Sequence, residues 1–168
     1  GSNISFQGEE KLGGGLSAWF KCESSADFRG EGQDGLCSRD SALGLKGNFG
    51  NVFFGQWGTP FKRARINPGA NETGHFGNST LLTGHSTTTL DGAANPGLFA
   101  RRQANMVNYD TPNMSGFRGM VSYTALSAQT GVAANAVAAK PRVFSIGGIY
   151  DNGPLKLSAA WERHSQFY

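Results

Sequence analysis

The feature that most constrains the fold is a series of alternating segments joined by connections that are short and long in turn. Side chains of a β-strand point to opposite faces with a period of two, whereas helical periodicity is hard to find anywhere in this chain. The alternation predicts an all-β fold of about eight strands. The predicted strands span roughly 2–8, 16–23, 39–47, 51–57, 103–110, 117–124, 142–150 and 154–162.

The connections between these strands differ in a regular way. The short ones, GEEKLGGG, GNFGN, TPNMSG and DNGP, carry the Gly, Pro and Asn that tight turns favour. The long ones span about 24–38, 58–102 and 126–141. In an up-and-down meander all short turns lie at one end and all long loops at the other. With a polar second face on each strand, this pattern is typical of a transmembrane antiparallel β-barrel, the alternative being a soluble β-sandwich.

Positive charge is concentrated in the longest connection. The chain has 15 Lys and Arg against 12 Asp and Glu, and outside residues 58–102 the two signs balance. A nucleic-acid surface would spread its cations along a helix or sheet face, so no nucleic-acid partner is expected. The charged residues of the connection are Lys62, Arg63, Arg65, Arg101 and Arg102, opposed by Glu72 and Asp91.

The sequence offers no pattern that indicates an enzyme, a cofactor or a metal site. His75, His85 and His164 are scattered, and a G-x-S-x-G hydrolase motif is lacking. Cys22 and Cys37 flank a polar stretch, and two interpretations stay open: a disulfide that closes this loop, or two unrelated thiols. Alternation places Cys22 on the apolar face of its strand, which counts against the disulfide unless the strand bulges.

Four stretches, taken in order, resemble the general porins of Gram-negative bacteria, especially the β-proteobacterial type. They are GSNISFQGEEKLGGGLSAWFKCES, SALGLKGNFGNVFFGQWGTPFK, RRQANMVNYDTPNMSGF and IYDNGPLKLSAAW. The resemblance implies that residues 1–168 form one partial barrel domain, about eight of the sixteen strands of a porin. It further implies an outer-membrane location, a homotrimer, and contact with outer-membrane lipid and lipopolysaccharide.

The resemblance also suggests a use for the cationic connection. In porins the third long loop folds into the lumen and narrows it, so residues 58–102 would form a pore-constriction loop. Lys62, Arg63 and Arg65 would line the passage, with Glu72 and Asp91 as its acidic partners. A narrow, partly desolvated passage of this charge attracts anions.

Two further arginines are candidates for the pore wall. Arg39 precedes the SALGLKG strand where the family often keeps such a residue. If Val107 faces lipid, alternation places Arg102 with Met106 on the pore side. At two other places, Ser2-Asn3 and the Asn108 of VNYD, an arginine that relatives often carry is absent.

The function expected from these residues is passive diffusion of small hydrophilic solutes, preferably anions, through a water-filled channel. One alternative is a channel biased toward phosphate or organic acids, with the same cations as a binding track. The other is a β-rich binding or adhesion module without a pore.

Overall fold

The structure, a computed structural model, describes residues 2–26, 35–64, 102–125 and 142–165. These residues form one antiparallel sheet in which each of eight strands pairs with the next along the chain. Within the described part of the chain, no helix has the length and apolar character needed to cross a membrane. The elements are β1 Ser2–Gly13, β2 Leu16–Ala26, β3 Ser41–Gly47, β4 Gly50–Gly58, α1 Pro60–Arg63, β5 Arg102–Asp110, β6 Phe117–Ala125, β7 Arg142–Asn152 and β8 Leu155–Ser165.

The two faces of the sheet have opposite character, and the apolar face is the one that is exposed. We call this the outer face. One cross-strand row on it runs through paired residues of six neighbouring strands, and every member is a large apolar or aromatic side chain that is at least 38% exposed. A soluble sandwich would bury such a row against a second sheet. The members are Phe20, Leu43, Phe54, Val107, Tyr123 and Phe144.

The opposite, inner face carries polar side chains that are buried. Asn108, Ser122, Thr124 and Ser145 are all at most 2% exposed. Apolar residues outside and polar residues inside is the arrangement of a membrane barrel and the reverse of a soluble domain. The all-β prediction is confirmed.

The first strand is longer than predicted. GEEKLGGG was interpreted as a turn, but β1 continues to Gly13 and pairs with β2 along that length. Glu9 lies on the inner face of this extension, and its carboxylate accepts a hydrogen bond from Lys46 of β3 at 2.6 Å.

The short helix α1 lies on the inner face, where it packs most extensively on β7. The Thr59 side chain caps its amino terminus by accepting from Lys62 N–H, and Pro60 occupies the first turn. Phe61 N–H donates to Ser145 Oγ at 3.0 Å. A Cβ on Gly147 would lie 3.1 Å from the Pro60 carbonyl oxygen, so the helix backbone sits directly on β7. The chain leaving β4 thus folds across the inner face of the sheet.

A disulfide joins Cys22 and Cys37, whose Cα atoms are 4.7 Å apart. Pairing of β2 with β3 ends at Lys21 and Ala42, so the residues before β3 leave the ladder. Cys37 can then reach the outer face, where Cys22 lies opposite Phe6 of β1. Alternation counts against the bridge only if β2 and β3 stay paired beyond Lys21 and Ala42, and their pairing ends there.

We expect loss of this disulfide to lower the stability of the sheet. The 15-residue separation of the two cysteines corresponds to about 3 kcal/mol in the chain-entropy model. Replacing both cysteines by serine should lower the temperature at which the folded, fast-migrating form disappears from unboiled electrophoresis samples. Reductant should lower that temperature in the wild type and leave the double variant unchanged. Equal temperatures for oxidised and reduced wild type would contradict the prediction.

Candidate functional site

One row of paired residues crosses the inner face of all eight strands and defines the candidate site. After Glu9 on β1, the part on β2 to β4 carries two aromatic residues, whereas the part on β5 to β8, beside α1, is polar. Three acceptor atoms of the polar half, Asn108 Oδ1, Ser122 Oγ and Glu162 Oε2, are buried without a hydrogen-bond partner. The row consists of Glu9, Trp19, Gly44, Phe53, Asn108, Ser122, Ser145 and Glu162.

Arg63 connects α1 to the wall. Its guanidinium donates two hydrogen bonds to Asp110 of β5, at 2.6 Å from Nη1 and 2.9 Å from Nη2. Its Cζ atom also lies 5.7 Å from the centroid of the Phe53 ring. A bidentate pair with both side chains largely shielded fixes the direction of the charge. Arg63 is therefore a positioned cation above the inner face.

The other predicted residues of the cationic loop divide into two groups. Lys62 lies beside Arg63 in the last turn of α1. Arg65, Glu72 and Asp91 lie outside the described residues. Carboxylates close to the described cations come from the wall (Glu23 and Asp110) and from the residues before β3 (Asp40).

Arg39 takes part in a three-residue network on the inner face. Glu23 of β2 is 7% exposed and accepts from Arg39 Nε and from Lys21 Nζ, each at 2.6 Å. Within the predicted strand 39–47, Arg39 has the same parity as Leu43 and Leu45, so alternation alone does not decide which face it takes. The ambiguity disappears because β3 begins at Ser41, so Arg39 precedes the strand.

The alternation argument for Arg102 was wrong. Trp57 pairs with Gln103, one residue away from the register set by Gly55 and Met106. The irregularity contains Asn105, whose φ is +54°. Gln103, 2% exposed, therefore shares the inner face with Met106, and Arg102 falls on the other face, where its Nε donates to Asp40 Oδ1 at 2.7 Å.

Sequence reasoning missed an aromatic group on the inner face, formed by Trp19, Phe53 and Trp57. The rings are in mutual contact, with centroids 5.3 to 6.0 Å apart. A signal was available in LSAWFKCE, where alternation puts Trp19 on the same face as Ser17 and Lys21. A large aromatic side chain on an otherwise polar face indicates that its ring packs against neighbouring side chains, since a face that only meets water has no need of it.

Comparison with known proteins gives a consistent result. The family described as Gram-negative porin matches residues 1–167. Major outer membrane protein P.IB of Neisseria gonorrhoeae is 35% identical over 126 residues, covering 73% of this chain and 32% of that protein. The P.IB protein of Neisseria meningitidis serogroup B is 28% identical over 171 residues, covering 99% of this chain and 44% of that protein.

A solved structure is similar over almost the same extent. The anion-selective porin of Comamonas acidovorans aligns with a TM-score of 0.61 and 28% identity, covering 95% of this chain and 46% of that chain. The chain therefore spans less than half the length of the Neisseria meningitidis and Comamonas acidovorans proteins.

Proposed function

Because the chain belongs to the Gram-negative porin family, we propose that it contributes to a channel for passive diffusion of small hydrophilic solutes, with a preference for anions. The protein is an outer-membrane β-barrel protein and not an enzyme. The observation that carries the proposal is the inner face, where fixed charges and polar side chains line a wall whose reverse side is apolar. Such a wall separates water from lipid.

The sheet supports a larger barrel than the described residues form. Strands β1 and β8 are the two ends of the sheet, and each pairs with a single neighbour among the described strands. Backbone N–H and C=O groups along those two edges need partners inside a bilayer. We propose that further strands complete a sixteen-stranded barrel, and that the barrel assembles as a homotrimer in contact with lipopolysaccharide.

The position of α1 supports a pore constriction formed by residues 58–102. The connection begins by crossing the inner face, anchored by the Phe61–Ser145 hydrogen bond and the Arg63–Asp110 pair. In the ion-pair groups described on this face, five cations and His164 meet five carboxylates, so the paired charges balance. The excess of Lys and Arg in residues 58–102 supports the anion preference, and the anion-selective character of the Comamonas porin agrees with it.

We expect the channel to be anion-selective in a planar bilayer under a salt gradient. Changing Lys62, Arg63 and Arg65 together to Ala should lower the anion-to-cation permeability ratio by at least about two-fold, since three cations are lost and Asp110 loses its partner. Arg163→Ala is the matched control, because Arg163 pairs with outer-face Phe144.

The outcomes of that experiment separate the parts of the proposal. A selective wild type with an unaffected triple variant would remove these three cations from the constriction. Cation-selective or unselective current would retain the porin and contradict the anion preference. Correctly folded full-length protein without any channel activity would contradict the proposed function.

A further inference from the structure

The aromatic group on β2 and β4 is built so that its rings meet over an intervening strand. Gly44 of β3 lies between Trp19 and Phe53 in the row, and the two ring centroids are 5.4 Å apart. A Cβ on Gly44 would lie 2.5 Å from Phe53 Cβ and 2.9 Å from Trp19 Nε1. The close approach of the rings therefore requires glycine at this position.

The two indoles are held in fixed positions. Trp19 Nε1–H donates to Asn51 Oδ1 at 2.7 Å. Lys21 Nζ lies 5.5 Å from the centroid of the Trp57 ring. Phe53 is 3% exposed, whereas both tryptophans are half-buried. Phe53 thus supports the group from beneath, and Trp19 and Trp57 present its accessible surface.

These indoles border a cavity of about 490 Å³. Ligand sites of small molecules have volumes of about 300–1,000 Å³ and combine aromatic lining with a few polar groups. The polar side chains around this cavity include Gln7, Glu9 and Lys46, together with Asn51.

The charges at the cavity are already neutralised in pairs. Lys46 Nζ lies 2.6 Å from Glu9 Oε2, and Lys21 Nζ lies 2.6 Å from Glu23 Oε2. An incoming anion would have to compete with a carboxylate at each ammonium group. A neutral solute with both donors and acceptors can instead hydrogen-bond to the paired groups as they stand. The polar lining therefore suits a polyhydroxylated solute better than an anion.

We propose that this cavity is a binding subsite for a neutral sugar in its ring form. The apolar C–H face of a pyranose would lie on one of the indoles of Trp19 and Trp57, and the other, at 69° to it, would border the sugar. Its hydroxyl groups would donate to Glu9 and accept from Lys46. The subsite rests on the proposed channel only for the route by which the sugar arrives, and it adds a neutral solute class to the anions favoured elsewhere on the wall.

The test is calorimetric titration of folded full-length protein in detergent with maltose, and with sorbitol as an acyclic polyol that lacks a ring face. Maltose should bind, and sorbitol should bind at least about five-fold more weakly. Trp57→Leu should weaken maltose binding about five-fold. Trp161→Leu is the matched control: Trp161 is 53% exposed on the outer face, and its replacement should leave binding unchanged.

The subsite would be overturned by absence of maltose binding, by sorbitol binding as tightly as maltose, by equal effects of the two tryptophan variants, or by benzoate binding more tightly than maltose. The last result would assign the cavity to aromatic anions. Because calorimetry needs no current, maltose binding by a protein that forms no channel would support the subsite while the proposed function fails. Channel activity without maltose binding would support the proposed function and overturn the subsite.

Discussion

Replacing Gly147 by leucine is expected to displace α1 from β7 and to change the single-channel conductance by at least about two-fold, since pore width sets the current. Even a Cβ at this position would lie 3.1 Å from the Pro60 carbonyl oxygen and 3.4 Å from Ala64 Cβ. A leucine side chain extends further, so the helix must move. The hydrogen bond from Phe61 N–H to Ser145 Oγ would then break.

Gly148→Leu is the matched control for this variant. Gly148 is the next residue of the same strand and faces the other way, where a Cβ would meet the Phe117 side chain at 3.3 Å. A side chain can rotate away more easily than a helix backbone can shift. We expect Gly148→Leu to keep wild-type conductance. Equal conductance for wild type and Gly147→Leu, with both proteins folded, would mean that the connection after β4 does not determine the width of the passage.

The strands and their faces could be predicted because they depend on a local pattern. Each segment shows the alternation with a period of two by itself. LSAWFKCE and PLKLSAAWE therefore give the correct faces without knowledge of the strands that they pair with. The same locality explains the failure at Arg102. A single extra residue, near Asn105, reverses the faces of the first residues of β5, and no glycine or proline of β5 itself marks it in the sequence.

The partners in the site could not be predicted, because they join distant parts of the chain. Arg63 and Asp110 are 47 residues apart, and their contact depends on α1 crossing the inner face. The contact of Trp19 with Phe53 likewise depends on the register of three strands and on a glycine in the middle one. Net charge by segment singled out Arg63, but the carboxylates described beside this and the other cations belong to the wall and to the residues before β3.

A charge placed on the outer face should impair the barrel, whereas the same charge on the inner face should be tolerated. Ile146 lies midway along β7 and is 47% exposed on the outer face. An arginine there would enter the hydrocarbon region, at a cost of about 2–4 kcal/mol near the bilayer midplane. We therefore expect Ile146→Arg to lower the yield of folded protein in lipid vesicles and to shift its urea unfolding midpoint downward.

Ser158→Arg supplies the comparison on the opposite face. Ser158 is exposed. Alternation along β8 places it on the inner face with Lys156, Ala160 and Glu162, of which Glu162 pairs with inner-face Ser145. An arginine there would project into water beside side chains that are already charged, so folding and the urea midpoint should match the wild type. The contrast between the variants tests which face meets lipid. If Ile146→Arg were as well tolerated as Ser158→Arg, the exposed apolar rows would not be a lipid-facing surface, and the channel proposal would lose its physical basis.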